Sequence, residues 1–224
     1  MEVKQTFDER PRERLFKYGA STLTNAELLA VILGTGCKGK SVIPFSKELI
    51  QHFGSFSKLL EATESDLESF SGLGKAKIAK LKAINELAQR SLHEQLTEHN
   101  VLNTPDIVKR YCIKEIGQQS IEHCIALFLN ASNQLICMQK ISFGTIDETA
   151  IYPREIIKHA LKNHAYSVIL AHNHPSGSCT PSLADINITK KIKSTLQLVN
   201  IHLLDHIIVT QCEAISLAEL GHLS

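Results

Sequence analysis

Hydrophobic positions in the first part of the chain recur every three or four residues, whereas in the last part they run together in short blocks. The first pattern is clearest after Gly74, where Ile78, Leu81, Ile84, Leu87 and Ala88 mark one buried face of a helix predicted over 75 to about 95. Upstream, Thr24-Asn-Ala-Glu27 has capping-box spacing and opens an apolar run that Gly34 ends. Further helices are predicted over 42–52, closed by Gly54, and, as shorter pieces, near 57–62 and from 65 to 70. Residues 94–103 are polar and lose the periodicity, so a linker is placed there, and a helix over 105–116 follows it. Beyond it the apolar blocks 124–129, 134–142, 166–171, 201–204 and 206–210 read as strands. A turn at Asn130-Ala-Ser-Asn joins the first two, and helices over 153–163 and 185–199 separate the later ones. The predicted fold class is therefore α/β (α+β): a small all-helical domain over 1–93, the linker, and a mixed-sheet domain over 104–224.

The totals change this picture little. A chain of 224 residues suffices for one large domain or two small ones. A net charge of +1 advertises neither a nucleic-acid field nor an acidic tail. Residues 1–9 mix charges and are not read as a secretory signal. Apolar runs such as 165–171 are far shorter than the roughly 20 residues a membrane span requires, so a cytoplasmic protein with no membrane partner is expected. The six cysteines form no Cys-x-x-Cys pair and are expected to be small buried hydrophobes, with Cys179 a loop residue of no catalytic role.

The candidate chemistry lies in Leu170-Ala-His172-Asn-His174-Pro-Ser-Gly-Ser-Cys-Thr-Pro-Ser182-Leu-Ala-Asp185. Residues two apart in extended chain point the same way, so His172 and His174 can face one point. Pro175 and Gly177 then turn the chain back, and Pro181-Ser182 introduces a helix with Asp185 in its first turn. Two neutral imidazoles and a carboxylate suit zinc and leave a fourth position open for water, as a catalytic site requires. Taken alone, Ser182-Leu-Ala-Asp185 is also the pattern of a structural capping box, and a lone His-x-His arises by chance; their combination after a buried strand is what gives the motif specificity.

This spacing resembles the JAMM motif of MPN domains: His-x-His, seven residues, Ser, two residues, Asp. The strings Gly144-Thr-Ile-Asp, Pro153-Arg-Glu, His172-Asn-His-Pro-Ser-Gly and Leu204-Asp-His-Ile-Ile resemble, more narrowly, the bacterial RadC family, over nearly the whole chain. Asn173 stands where eukaryotic JAMM proteases have Ser or Thr, as is usual in the RadC branch. The resemblance implies a cytidine-deaminase-like three-layer domain and one zinc ion held by His172, His174 and Asp185. It also implies a metallopeptidase- or isopeptidase-like hydrolysis of a protein or peptide substrate. The family's upstream glutamate is matched by Glu122, just before an apolar strand, with Glu155 and Glu148 as rivals. In that scheme Glu122 takes the water proton and passes it to the leaving amine, and Ser182 donates to the oxyanion. Asp205-His206 reads as a packing element, or as a carboxylate orienting a ligand histidine; His123, His159, His164 and His202 are expected to be structural or exposed.

In the N-terminal half, Ser71-Gly72-Leu-Gly74-Lys75-Ala-Lys77-Ile-Ala-Lys80-Leu-Lys82 resembles a helix-hairpin-helix element. Gly72, Gly74, Lys75 and Lys77 could receive a phosphate, giving weak, sequence-independent DNA binding. A tight turn followed by a solvated lysine face is the structural alternative. The functional alternatives to a hydrolase are a DNA-repair-associated accessory protein and a non-catalytic MPN scaffold.

Overall fold

The computed structural model describes residues 9–143 and 151–223, so Gly144-Thr-Ile-Asp and Glu148 lie outside the described residues. The chain divides into two compact units between Ala88 and Gln89.

The first unit is helical: α1 (Pro11–Tyr18), α2 (Asn25–Leu33), α3 (Val42–Phe53), α4 (Phe56–Glu61), α5 (Glu64–Ser69) and the start of α6 (Lys75–Glu98). Thr24 caps α2 through the expected box with Glu27, and Thr63 caps α5 in the same way with Asp66. Leu29, Leu33, Phe45, Leu49, Leu59, Leu67, Ile78 and Leu81 form its core. The helix α1 was not read from the sequence; its sole buried side chain is Arg14, which donates to Glu27 at 2.6 Å and to the Thr22 carbonyl at 2.7 Å. A polar anchor of that kind leaves no apolar period to detect.

Lysines of α6 hold this unit together. Lys77 Nζ donates to the Gly36 carbonyl at 2.7 Å and the Gly72 carbonyl at 3.0 Å, and lies 4.7 Å from the Phe45 ring centre. Lys80 donates to the Leu33 carbonyl at 3.1 Å, at the end of α2, and Lys82 to the Ala62 carbonyl at 2.5 Å, past the end of α4. Cations placed on the orphan carbonyls of helix C-termini also meet the negative end of the dipole.

The second unit begins inside α6, and this corrects the expected linker. Helix continues to Glu98, a 3₁₀ turn covers Val101–Asn103, and both Leu96 and Val101 are buried in the core of this unit. The two apolar side chains are too widely spaced among polar neighbours for the sequence to show a period. Then come α7 (Pro105–Ile116), β1 (His123–Leu129), β2 (Leu135–Phe143), α8 (Pro153–Lys162), β3 (Ser167–Asn173), α9 (Leu183–Gln197), β4 (His202–Val209) and β5 (Ala214–Ser216). The sheet order is β2-β1-β3-β4-β5, with β3 and β4 parallel and the other pairs antiparallel. The parallel pair requires a crossover, and α9 supplies it.

Alternate residues of the central strands fill two cores, giving helix, sheet and helix layers. Ile125, Leu127, Ile169, Ala171, Ile207 and Val209 pack with Val108, Tyr111 and Ile116 of α7. Ala126, Phe128, Val168 and Leu170 pack with Ile156 of α8 and Ile192 and Leu196 of α9. Each fully buried Val, Leu, Ile or Phe among them contributes about 1.5–3 kcal/mol. The two strands expected over 201–204 and 206–210 are one strand. Its register against β3 jumps from Val168 opposite Leu203 to Ile169 opposite Asp205, so Leu204 is a bulge. The bulge shifts the phase of the alternation, which is why the sequence reads as broken there.

Gly72 and Gly74 carry different loads. Gly72 has φ +88°, and a Cβ there would stand 2.5 Å from the Cys37 Cβ, whereas Gly74 faces open space. Gly72→Ala is expected to destabilise the protein by about 2–4 kcal/mol and Gly74→Ala by less than about 0.5 kcal/mol. Urea unfolding of the two variants checks this.

Candidate metal centre

The strand β3 ends at the site. Val168 and Leu170 point toward α9, and His172 continues that face, buried and opposite Cys124 of β1. Pro175 and Gly177 follow, and Gly177, at φ +85°, helps return the chain to α9. Ser182 caps α9: its hydroxyl and its N–H each donate to Asp185 Oδ2 at 2.7 Å, and its Oγ accepts from the Asp185 N–H at 3.1 Å. Both orientations of the motif are thus realised at once, since the capping box is what aims the carboxylate.

His172, His174 and Asp185 converge. The two Nε2 atoms are 2.9 Å apart, His172 Nε2 lies 3.2 Å from Asp185 Oδ1, and His174 Nε2 lies 3.5 Å from Asp185 Oδ2. Among the described residues these three form the cluster that could hold a metal ion. His174 donates Nδ1–H to the Ser178 carbonyl at 2.8 Å; a carbonyl only accepts, so the Nε2 of the neutral ring carries the lone pair. Burial pushes the Asp185 carboxyl up, but the neighbouring His172 and His174 rings, which favour the carboxylate whenever they carry a proton, and the Ser182 hydroxyl outweigh it and hold it well below the usual range. The Asp185 carboxylate, ready to accept from a protonated ring, raises His174, against a smaller desolvation, with the Ser178 carbonyl and the Glu122 carboxylate adding to the rise.

Glu122 is half-buried, one residue before β1, on the strand that pairs with β3. Asn173, fully buried between the two histidines, fixes that approach. Its Oδ1 accepts from the His123 N–H at 2.7 Å, and its Nδ2 donates to the carbonyls of Gln119 at 3.2 Å and Ile121 at 3.1 Å. The sequence showed Asn173 as a departure from the eukaryotic pattern; three bonds to the segment flanking Glu122 are its physical role. Of the rivals, Glu155 lies on α8 beside Arg154 at 3.4 Å and Lys158 at 3.8 Å.

The pair Asp205-His206 splits across the sheet. The Asp205 carboxylate accepts from Ser216 Oγ at 2.6 Å and from the Ala218 and His206 N–H groups at 3.0 and 2.7 Å, tying down the chain around β5. The group that meets His172 is the His206 ring, with Nε2 2.8 Å from His172 Nδ1. The bulge at Leu204 puts it on that face. Cys179 is buried against Ile208 and Thr210. In the first unit, Lys75 is exposed at the start of α6, while Lys77 is committed to the carbonyls described above.

A three-layer mixed-sheet domain with His-x-His at a strand end and an aspartate on the next helix is the arrangement of a JAB domain. Residues 102–222 match the family model described as RadC-like JAB domain, and residues 4–79 match UPF0758 N-terminal. The chain is 44% identical over 213 residues to a UPF0758 protein of Bordetella parapertussis, covering 95% of each. It is 46% identical over 215 residues to one of Janthinobacterium sp. (strain Marseille) and 45% identical over 215 residues to one of Chromobacterium violaceum, covering 96% of each chain in both cases. The chain belongs to this RadC family of JAB-domain proteins. Among its described residues no helix is long and apolar enough to cross a membrane.

Asn173→Ala leaves a buried N–H and two carbonyls short of a partner, so a loss of about 2–4 kcal/mol is expected in chemical denaturation. Asn173→Asp keeps the acceptor but turns a buried carboxylate oxygen toward two carbonyl oxygens, so it should be destabilised at least as far as the alanine variant.

Proposed function

We propose that this protein is a zinc-dependent hydrolase that cleaves an amide or isopeptide bond in a protein or peptide substrate. The observation that carries the reading is the convergence of two imidazole Nε2 atoms and a carboxylate oxygen within 4.8 Å of one another, beside a half-buried glutamate. The donor set fits the ion: tetrahedral zinc with bonds of about 2.0–2.1 Å separates its ligand atoms by roughly 3.3 Å. The distances here, 2.9, 3.2 and 3.5 Å, bracket that value. Three protein ligands leave one position for solvent or substrate.

When bound, zinc supplies Lewis acidity, polarising a carbonyl and making water acidic near pH 7 (pKa about 7). The protein supplies the rest. Glu122 accepts a proton from the attacking water on its carboxylate and returns it to the leaving nitrogen. Asn173 holds the backbone on either side of Glu122, so the base approaches along a fixed line. Ser182 keeps Asp185 aimed, and its hydroxyl proton is already committed to that carboxylate. Donation to an oxyanion would break this bond, so support of the ligand is its first role. Pro175, Ser176, Gly177, Leu183 and Ala184 are exposed around the centre, where a polypeptide could approach.

Metal analysis of the purified protein should find one zinc per chain, lost in His172→Ala and Asp185→Ala. Glu122→Gln should keep the zinc and lower kcat/KM about 10²–10⁴-fold on a peptide or isopeptide library. A zinc-loaded wild type with no amide hydrolysis, or an equally active Glu122→Gln, sinks the proposal.

Acid should compete for the site. In the metal-free protein His174 has a raised pKa, so its protonated form is favoured and the proton leaves only as pH rises through that value. Zinc affinity is therefore expected to weaken by about tenfold per pH unit, beginning above the usual histidine pKa of about 6.5. Chelator competition at stepped pH measures it, and a profile flat to the acid side of that range contradicts it.

A further inference from the structure

His206 does not belong to the ligand set, yet it is fully buried against it. Its Nε2 is 2.8 Å from His172 Nδ1, and its Nδ1 is 2.6 Å from Thr189 Oγ1. Thr189, also fully buried, lies one turn along α9 from Asp185, and its hydroxyl donates to the Asp185 carbonyl at 2.5 Å. This run of hydrogen bonds ends at His172, and a hydrogen bond to one ring nitrogen decides which form the other takes.

The direction of every proton in this chain follows from its end. A backbone carbonyl has no proton to give, so the single hydroxyl proton of Thr189 goes to Asp185. Thr189 Oγ1 can then only accept, and His206 must present Nδ1–H to it. His206 is fully buried, its two ring nitrogens facing only the Thr189 hydroxyl and another imidazole, surroundings that favour the uncharged ring, so its Nε2 is bare. A bare Nε2 accepts, so His172 presents Nδ1–H and its own Nε2 is left as a lone pair facing His174 and Asp185.

We propose that His206 and Thr189 are positioning residues that lock His172 in the Nδ1–H form, using the backbone carbonyl of the ligand Asp185 as the fixed reference. The relay closes on itself: the main chain of Asp185 sets the proton order and its side chain is a ligand in the site thereby prepared. His174 reaches the same state by a shorter route, through the Ser178 carbonyl. The bulge at Leu204 is part of the device, because without it His206 would face α7. The inference rests on the metal reading above for its use, but not for its geometry.

The test uses the full-length chain with histidine ¹⁵N labels. Long-range ¹H–¹⁵N spectra of the metal-free protein, at mildly alkaline pH, should show Nδ1–H for both His206 and His172. An Nε2–H on His172 overturns the proposal without any variant being made. Thr189→Val removes the hydroxyl at nearly constant volume. It should erase the fixed tautomers and weaken zinc binding, measured by chelator competition, about 10–100-fold, while Thr189→Ser retains both. Unchanged tautomers and unchanged zinc affinity in Thr189→Val overturn it. The stated tautomers in a wild type that binds no zinc support the relay and overturn the metal reading instead.

Discussion

Two bare imidazole nitrogens aimed at each other across 2.9 Å repel unless something positive lies between them. Ring rotation or a change of tautomer would relieve that repulsion, and the second unit blocks both. His172 is packed in the continuation of a core face, and each ring is held at its far nitrogen by an acceptor that cannot yield a proton. A carboxylate 3.2 Å from one nitrogen deepens the demand for a cation. The site is thus defined less by its three converging side chains than by the groups that deny them any other state.

The sheet provides this constraint through register. β3 lies in the middle of the order β2-β1-β3-β4-β5, so its end is flanked on both sides. On one side β1 brings the segment carrying Glu122, sewn to β3 by Asn173. On the other side β4 brings His206, and only because one residue is extruded at Leu204. Bulges beside functional groups commonly re-aim a single side chain, and here the re-aimed group is the imidazole that meets His172.

Much of this was legible in the sequence. The helix start at Thr24 follows from capping chemistry, which is local, and the strand-to-histidine run ending at His174 follows from apolar continuity. The convergence of His172, His174 and Asp185 could be read because the three lie within one short stretch at a fixed spacing. What could not be read depended on partners remote in the chain. Asn173 looks like a spacer until the Gln119–His123 backbone is seen beside it. Thr189 is one more polar residue in an amphipathic helix until His206, seventeen positions later, is found against it. Lys77, Lys80 and Lys82 look like a solvated basic face, yet each caps a carbonyl of the first unit. Leu96 and Val101 sit in polar surroundings that conceal their burial.

The three converging side chains, the capping serine and the relay all come from one strand–helix–strand crossover, from β3 through α9 to β4, while Glu122 stands just ahead of a different strand, β1. Holding an ion and using it are therefore mechanically separable in this architecture. An ion seated there would staple the two parallel strands to the helix that connects them, whatever stood at position 122. On the hydrolase proposal, a descendant that lost its glutamate would keep the staple and the rigidity it confers, passing from chemistry to pure architecture by a single codon.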